Sequence, residues 1–557
     1  MTHVFETLAQ VFAREGVSDC FALLGDANMA FASALAGLGV DMTYVRHEHC
    51  AVAAATAYAR KSGRTGVATV TCGPGLTQVL TALPAAVRAR TPLVILAGEA
   101  PIGTAWYNQA IDQAPFVTAT GARYHPLHHV PRMAEAIRDA FVEAEEERVP
   151  VVLGVPFDLQ YQSADIGLPA PSADILPKLH PCPPHPDAVA QIAREIDGAR
   201  RIVVMAGLGA VDSGAAEAAT ALADHLGALL TTTLPARGLF HGHPFHVGVA
   251  GGFSSTLTAA LFEQADLVIA LGCRLTQHNL AKGKLFPNAR VLQVDTAPRA
   301  LSQGAVPAGL HLRGDARLAA EGLTSRTAAR SGWRSDRLAK AIATAVSDTA
   351  TFPPEPGVHD PRDVVTALDR ALPADWQMVN SSGHCSFYFA HMDRPFDRFL
   401  TIREFGAIGN GTSYAMGVAR ACPGDTVVLL DGDGSLLMHV QELETMRRHG
   451  LNILICVLND RAYGSEIHKL RDEGLSEAGA VFGATDLAAI ARGFGVGGET
   501  VTDLDGLPAL VQSYAETGGV AVFDFPISDR VASPVIRRAH PAGHGGTEHP
   551  ITVEDLL

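Results

Sequence analysis

No basic run interrupts this 557-residue chain; its Lys and Arg residues are scattered, and the formal net charge is −15. That removes the extended cationic face nucleic-acid binding needs, so any phosphate site must be local, built from backbone amides and a metal. Aromatics are scarce at 6 % and charged residues at 18 %, whereas Gly (54) is abundant. Compact α/β packing fits that balance better than a sandwich or a fibre. The eight cysteines, at 20, 50, 72, 182, 273, 385, 422 and 456, include no C-x-x-C pair, which argues against a zinc site. Spread through apolar stretches, they read as buried free thiols in a reducing cytosol. No apolar run reaches the length of a membrane span, and the segment 2–8 reads as an amphipathic helix start without a signal-peptide pattern. The expected location is the cytoplasm, with no membrane and no nucleic acid as partner.

Length alone allows about three or four domains. Residues 1–165 alternate helix and strand patterns, with 93–97 and 151–155 as buried parallel strands. Pro150 suits the first position of the second. A Pro-rich stretch over 169–186, containing Pro181-Cys182-Pro183-Pro184, reads as a linker. A second unit, 187–325, has strand patterns at 201–206, 267–271 and 291–295. Polar residues and Pro353-Pro354 mark another linker over 326–360. A third unit spans 361–535, and 536–557, rich in His, Gly and Pro, reads as a tail or loose cover. The expected fold class is α/β, with three doubly wound, mostly parallel sheets.

The strongest chemical signal lies in the third unit. A buried strand pattern over 427–430 runs into Asp431-Gly432-Asp433-Gly434-Ser435. A helix is expected from Leu436 to His449, stopped by Gly450, and a strand over 452–458 ends at Asn459-Asp460. This β-α-β unit sets acidic groups at the carboxyl ends of two strands, where open α/β sheets bind ligands. The glycines let a diphosphate approach the backbone, and a helix N-terminus offers free N–H groups and a positive dipole end. Asp433 and Asp460 can both reach one hard cation; Mg²⁺ takes oxygen ligands in octahedral geometry. A bare Gly-Asp-Gly is an ordinary acidic turn; its pairing with a distant Asn-Asp at a strand end is much rarer.

That pairing resembles the diphosphate-binding motif of thiamine diphosphate enzymes, which opens with Gly-Asp-Gly and closes with Asn-Asn. The resemblance implies Asp433, Asp460 and the Ala462 carbonyl as metal ligands, with Gly432, Gly434, Ser435, Tyr463 and Gly464 at the cofactor. Asp460 stands where Asn is usual. Near the N-terminus, Arg46-His47-Glu48 before an Ala-rich helix, then Cys72-Gly73-Pro74-Gly75, resembles the pyrimidine-binding domain of the acetolactate synthase-like group. Glu48 would then hydrogen-bond the aminopyrimidine, with Gly73 beside it; taken alone, Glu48 is a helix-start carboxylate. Phe405-Gly406-Ala407-Ile408-Gly409 sits where the family places the apolar wedge that bends the coenzyme, making Ile408 the wedge and Gly406 a backbone contact. The family shares each site between two subunits, so a homodimer or homotetramer with interfacial active sites is expected.

The order of units matches the family over nearly the whole chain and implies a 2-oxo acid decarboxylase or carboligase acting on a 2-oxo acid or aldehyde. Glu466, six residues past Asp460, stands near the offset of a proton-handling glutamate in pyruvate-type decarboxylases, or is a solvated helix charge. His468 and Lys469 are candidates to steer a carboxylate. Gln109 and Asp112 resemble part of a substrate-facing segment of acetolactate synthases, but the Phe and Glu of that segment are absent. His128-His129 and His278 are weaker candidates, each readable as structural. Gly207-Leu208-Gly209 suggests a dinucleotide turn without the third glycine; in this family the middle domain holds FAD, ADP or nothing. The alternatives are a 2-hydroxyacyl-CoA or hydroxyketone lyase and a non-catalytic cofactor-binding subunit.

Overall fold

The computed structural model describes residues 2–301 and 303–556. Three six-stranded, wholly parallel sheets carry the fold. The first contains strands from Asp19–Ala22 to Pro150–Pro156 and the third strands from Gln377–Asn380 to Val520–Pro526. With strands counted in chain order within each sheet, both run 2-1-3-4-6-5. The likeness of these two units is therefore one of topology. The middle sheet, from Ile202–Ala206 to Leu310–Arg313, runs 3-2-1-4-5-6, the dinucleotide-fold order. The central strands are apolar along their length and buried on both faces, as helix-covered parallel strands require.

Units one and three meet along one seam. The helix Glu48–Ser62, buried from His49 to Ala59, packs against the helix Gly411–Ala421. At its N-terminal end the His49 ring stacks on His439 at 4.8 Å, and its Nε2–H donates to Asn410 Oδ1 at 2.5 Å.

That seam explains one departure from expectation. In place of a continuous helix from Leu436 to His449 there are two pieces, Asp433–Leu436 and Glu442–Arg448. Between them the chain turns so that His439 Nδ1–H donates to the Gly409 carbonyl at 2.8 Å, and the buried Glu442 carboxylate accepts from the Arg46 N–H at 3.0 Å. Tertiary contacts override a locally favourable helix that contains neither Gly nor Pro to signal the break.

The segment 326–360 is also more structured than a linker. It contains the helix Asp336–Thr344, and the Trp333 indole N–H donates to the Ile202 carbonyl at 3.0 Å. The residues after 536 are not loose. Arg537 is locked to buried Asp348 at 2.6 Å, Thr351 and Thr547 form a bridge, and Val553 is buried in the middle unit's core. Cys182 is exposed, contrary to the expectation for all eight thiols. Among the described residues no helix is long and apolar enough to cross a membrane.

Candidate active site

A sheet ordered 2-1-3-4-6-5 reverses direction between its first and third strands, and the crevice beyond that switch point is where such sheets take ligands. In the third unit those strands are Gln377–Asn380 and Val427–Gly432. Their outgoing turns, with the end of Ile453–Asn459, line a cleft. Its walls include Gly383, His384, Ile408, Asp433, Asp460 and Ala462, with Gly432, Gly434, Ser435, Tyr463, Gly464 and Glu466. Of the C-terminal residues singled out in the sequence, all but Gly406, His468 and Lys469 are therefore gathered at one place.

The local backbone is built for close approach. A Cβ on Gly464 would lie 2.0 Å from Asp460 Oδ2, and one on Gly434 2.8 Å from the Tyr463 ring. Arg461 holds the left-handed conformation at φ 63°, uncommon for a residue with a side chain, between Asp460 and Ala462. The helix begun at Asp433 runs only four residues. Anion affinity here therefore comes from individual N–H groups, not from a long helix dipole.

Asp433 is 2 % exposed, and neither it nor Asp460 pairs with a cationic side chain among the described residues. Burial raises the affinity of both carboxyls for protons; for Asp460 the negative charge of Asp433 adds to it. Two carboxylates withdrawn from water beside each other are stable in ionised form only if a cation joins them. No cluster of three or more His, Cys, Asp or Glu forms a self-sufficient metal cage among the described residues. The donor set thus fits a hard cation that takes its remaining oxygens from a ligand and water.

Ser435 lines the cleft, and its hydroxyl is engaged within the protein. Its hydroxyl donates to Asp431 at 3.0 Å and accepts from the Gly409 N–H at 2.9 Å, tying the Ile408-Gly409 turn to the sheet. Gly406 is exposed at φ 75° with nothing near its Cα hydrogens. Glu466 lies at the rim, its side chain 55 % exposed and 3.0 Å from Lys469. His468 is buried behind it; both ring nitrogens lack partners, and burial brings its pKa down to about 4.

The N-terminal candidates lie elsewhere in the single chain. Glu48, Gly73 and Gln109 do not line the cleft. They form a second group at the switch point of the first sheet. Gly73 presses on the Gln109 backbone, Gln109 Oε1 sits 3.4 Å from Cys72 Sγ, and Glu48 Oε1 faces Gly75. Burial also raises the Glu48 carboxyl toward its protonated form. His128 is instead partnered by Glu99 at 2.5 Å, and His278 is exposed.

His384, in the cleft wall, and Arg403, outside its lining, carry no motif in the sequence. The buried His384 accepts from the Ser533 N–H at 3.3 Å through Nε2, which leaves Nδ1 beside Gly464. Arg403 stands at the turn leading to Ile408. A lone His or Arg after a strand has no pattern to mark it; only the surrounding packing does.

Comparison with known proteins gives the same three-part division. Family models described as thiamine pyrophosphate enzyme N-terminal TPP binding domain, central domain and C-terminal TPP binding domain match residues 2–116, 189–323 and 381–525. The rice (Oryza sativa subsp. japonica) protein "Probable acetolactate synthase 2, chloroplastic" is 30 % identical over 558 residues, covering 93 % of this chain and 82 % of its own. "Probable acetolactate synthase large subunit" of Methanocaldococcus jannaschii is 28 % identical, with 82 % and 80 % covered. "Sulfoacetaldehyde acetyltransferase" of Castellaniella defragrans is 28 % identical, with 83 % and 81 % covered. The chain belongs to the acetolactate synthase-like superfamily of thiamine diphosphate-dependent enzymes, which make or break carbon–carbon bonds.

Proposed function

We propose that this enzyme, with Mg²⁺ and thiamine diphosphate, decarboxylates a 2-oxo acid and delivers the remaining fragment to a proton or to a second carbonyl. The observation that carries the reading is the carboxylate pair Asp433 and Asp460 in the switch-point cleft, largely withdrawn from water and held by backbone N–H groups with no cationic side chain beside them. These two side chains and the Ala462 carbonyl would hold Mg²⁺, and the N–H groups around Gly432 and Gly434 the diphosphate. A carboxylate at 460 in place of the usual Asn binds the cation more strongly at some cost in repulsion with the diphosphate. The cofactor supplies the electron sink next to a carbonyl.

The chain's own residues orient, shield and move protons. Ile408, anchored through Gly409 and Ser435, would be the apolar wall that holds the coenzyme in place. Glu48 would hold a proton for the coenzyme's acid–base chemistry, a task its raised pKa suits. Since Glu48, Gly73 and Gln109 stand outside the cleft of their own chain, the reading requires them to come from a second subunit. The minimal unit is then a homodimer, with a homotetramer as its doubling. Glu466 would serve substrate protons at the rim, with His468 buried behind it and Gln109 facing it from the partner.

The functional units are 1–165, 187–325 and 361–535, with 536–557 as a strap, in a cytoplasmic enzyme. The missing Phe and Glu around Gln109 favour a carboligase or decarboxylase on a less common substrate over a dedicated acetolactate synthase. The test is carbon dioxide release from a panel of 2-oxo acids, with and without aldehyde acceptors that include sulfoacetaldehyde. Turnover of at least one pair is expected; no turnover of any, with cofactor bound, would refute it.

A further inference from the structure

Arg403 is a cation without an anion. Its Nη1 donates to the Ser386 hydroxyl at 2.7 Å, and its guanidinium lies over the rings of Phe253 at 4.4 Å and Phe387 at 5.5 Å. Among the described residues no carboxylate lies within 4.0 Å of it. The adjacent Glu404 side chain turns back to the Arg403 backbone N–H at 2.9 Å and lies 3.9 Å from Arg60. Nε and Nη2 donate to nothing described, and neither is sealed from solvent. Burial weakens its hold on the proton, yet at a pKa of about 10 it stays charged near neutrality.

Its place ties it to the cleft. Ser386, which holds Nη1, in turn donates to the Gly383 carbonyl at 2.7 Å. Gly383 and Cys385 are cleft walls, and a Cβ on Gly383 would touch Ile408 Cγ2 at 3.6 Å. The Arg403 carbonyl accepts from Gly406 N–H at 3.0 Å, closing the turn that carries the wedge. Phe253 reaches in from the middle unit, so the guanidinium stands in the seam between two units, held flat by aromatic faces. A flat guanidinium with two free donors matches a planar or tetrahedral oxyanion and has a fork geometry that Lys lacks.

We propose that Arg403 is a specificity-determining residue that binds an anionic group the substrate keeps throughout the reaction, a second carboxylate or a sulfonate on the 2-oxo acid or the aldehyde. The retained group is the sensible target. A cation gripping the carboxylate that leaves as carbon dioxide would stabilise the ground state more than the transition state and slow the step. A grip on a retained anion is the same in both states, so it acts on KM and leaves kcat nearly alone. The inference rests on the thiamine diphosphate reading and narrows its substrate class.

The test uses matched pairs with the holoenzyme: 2-oxoglutarate and 3-sulfopyruvate against 2-oxopentanoate as donors, and succinic semialdehyde and sulfoacetaldehyde against butanal as acceptors. The wild type should favour the anion-bearing member of at least one pair. Arg403→Met should cut that preference at least tenfold through KM, and Arg403→Lys should restore part of it. Equal losses on both members, as a merely structural role predicts, or no wild-type preference, would overturn the proposal. Calorimetry with the unreactive dianion succinate and the sulfonate methanesulfonate separates this from the wider reading. Binding lost in Arg403→Met supports the anion site even if the right carbonyl has not been found; binding retained in both variants overturns it. If no panel member reacts although the anion site is real, the decarboxylase reading fails alone.

Discussion

The turn after Ile202–Ala206 and the turn after Val427–Gly432 stand at the same place in two parallel sheets, both glycine-bearing and both at the switch point. Their surroundings differ. In the middle unit the crevice is closed by the chain itself: a Cβ on Gly207 would lie 2.4 Å from the Gly272 carbonyl, and one on Gly209 2.8 Å from the Gly272 Cα. Those glycines are accounted for by backbone meeting backbone, with no need of a nucleotide. In the third unit a Cβ on Gly432 meets nothing nearer than 4.0 Å, and the neighbouring carboxylates are withdrawn from water with no cationic side chain beside them. A glycine at a switch point marks a close approach; unsatisfied charge beside it says that the approaching body is a ligand.

Glu48 bears the same mark, a carboxylate raised by burial whose side chain takes no bond from another residue, and it sets the largest test. Glu48→Gln should keep cofactor affinity and lose about 100- to 10,000-fold in kcat, the usual worth of a positioned acid–base group. Retained activity would show that an unsatisfied carboxylate does not point to chemistry here. Next, Asp433→Ala should weaken Mg²⁺-dependent binding of thiamine diphosphate by more than about 10-fold in calorimetry, since losing even groups behind the ligands costs about 10- to 100-fold. Unchanged affinity would break the contrast between the two turns at its stronger end.

The weaker end is tested by two alanines. Gly207→Ala forces a methyl into the Gly272 backbone and should cost about 1–3 kcal/mol, read as a lower melting temperature. Added FAD should not restore it. Gly432→Ala has room and should melt close to wild type while binding the cofactor less well. A flavin-rescued Gly207→Ala would reassign the middle turn to a ligand.

Much of this was legible in the sequence because it is local. Apolar runs gave the strands, and Gly-Asp-Gly with Asn-Asp gave the cleft, since spacing along a β-α-β unit fixes where its ends lie. What was not legible depends on contacts between units. The break at 437–441 is imposed by Gly409 and Arg46 from outside the helix. The C-terminal strap looked loose because its partners, Asp348 and the middle unit's core, are distant in sequence. Arg403 differs from any surface arginine only in lacking a carboxylate, which no pattern records.

The smallest effect is a proton count. Burial raises the carboxyls of Asp433 and Asp460, which titrate as a pair, above the ordinary carboxylate range. A raised carboxyl contributes stability that is fully present below its unfolded pKa and lost as pH rises through its folded one, when the folded chain must hold a buried charge. A cation needs the ionised form, so Mg²⁺ with thiamine diphosphate should expel protons from the pair on binding, more at low pH than at high. The stabilisation they give the chain should therefore grow as pH rises. Calorimetry in two buffers of different ionisation enthalpy reads the released protons directly. Asp433→Asn should lower the count, whereas Gly207→Ala, in a turn without buried acids, should leave it unchanged. Equal release from wild type and Asp433→Asn would mean that the charge separating the two turns resides on another group.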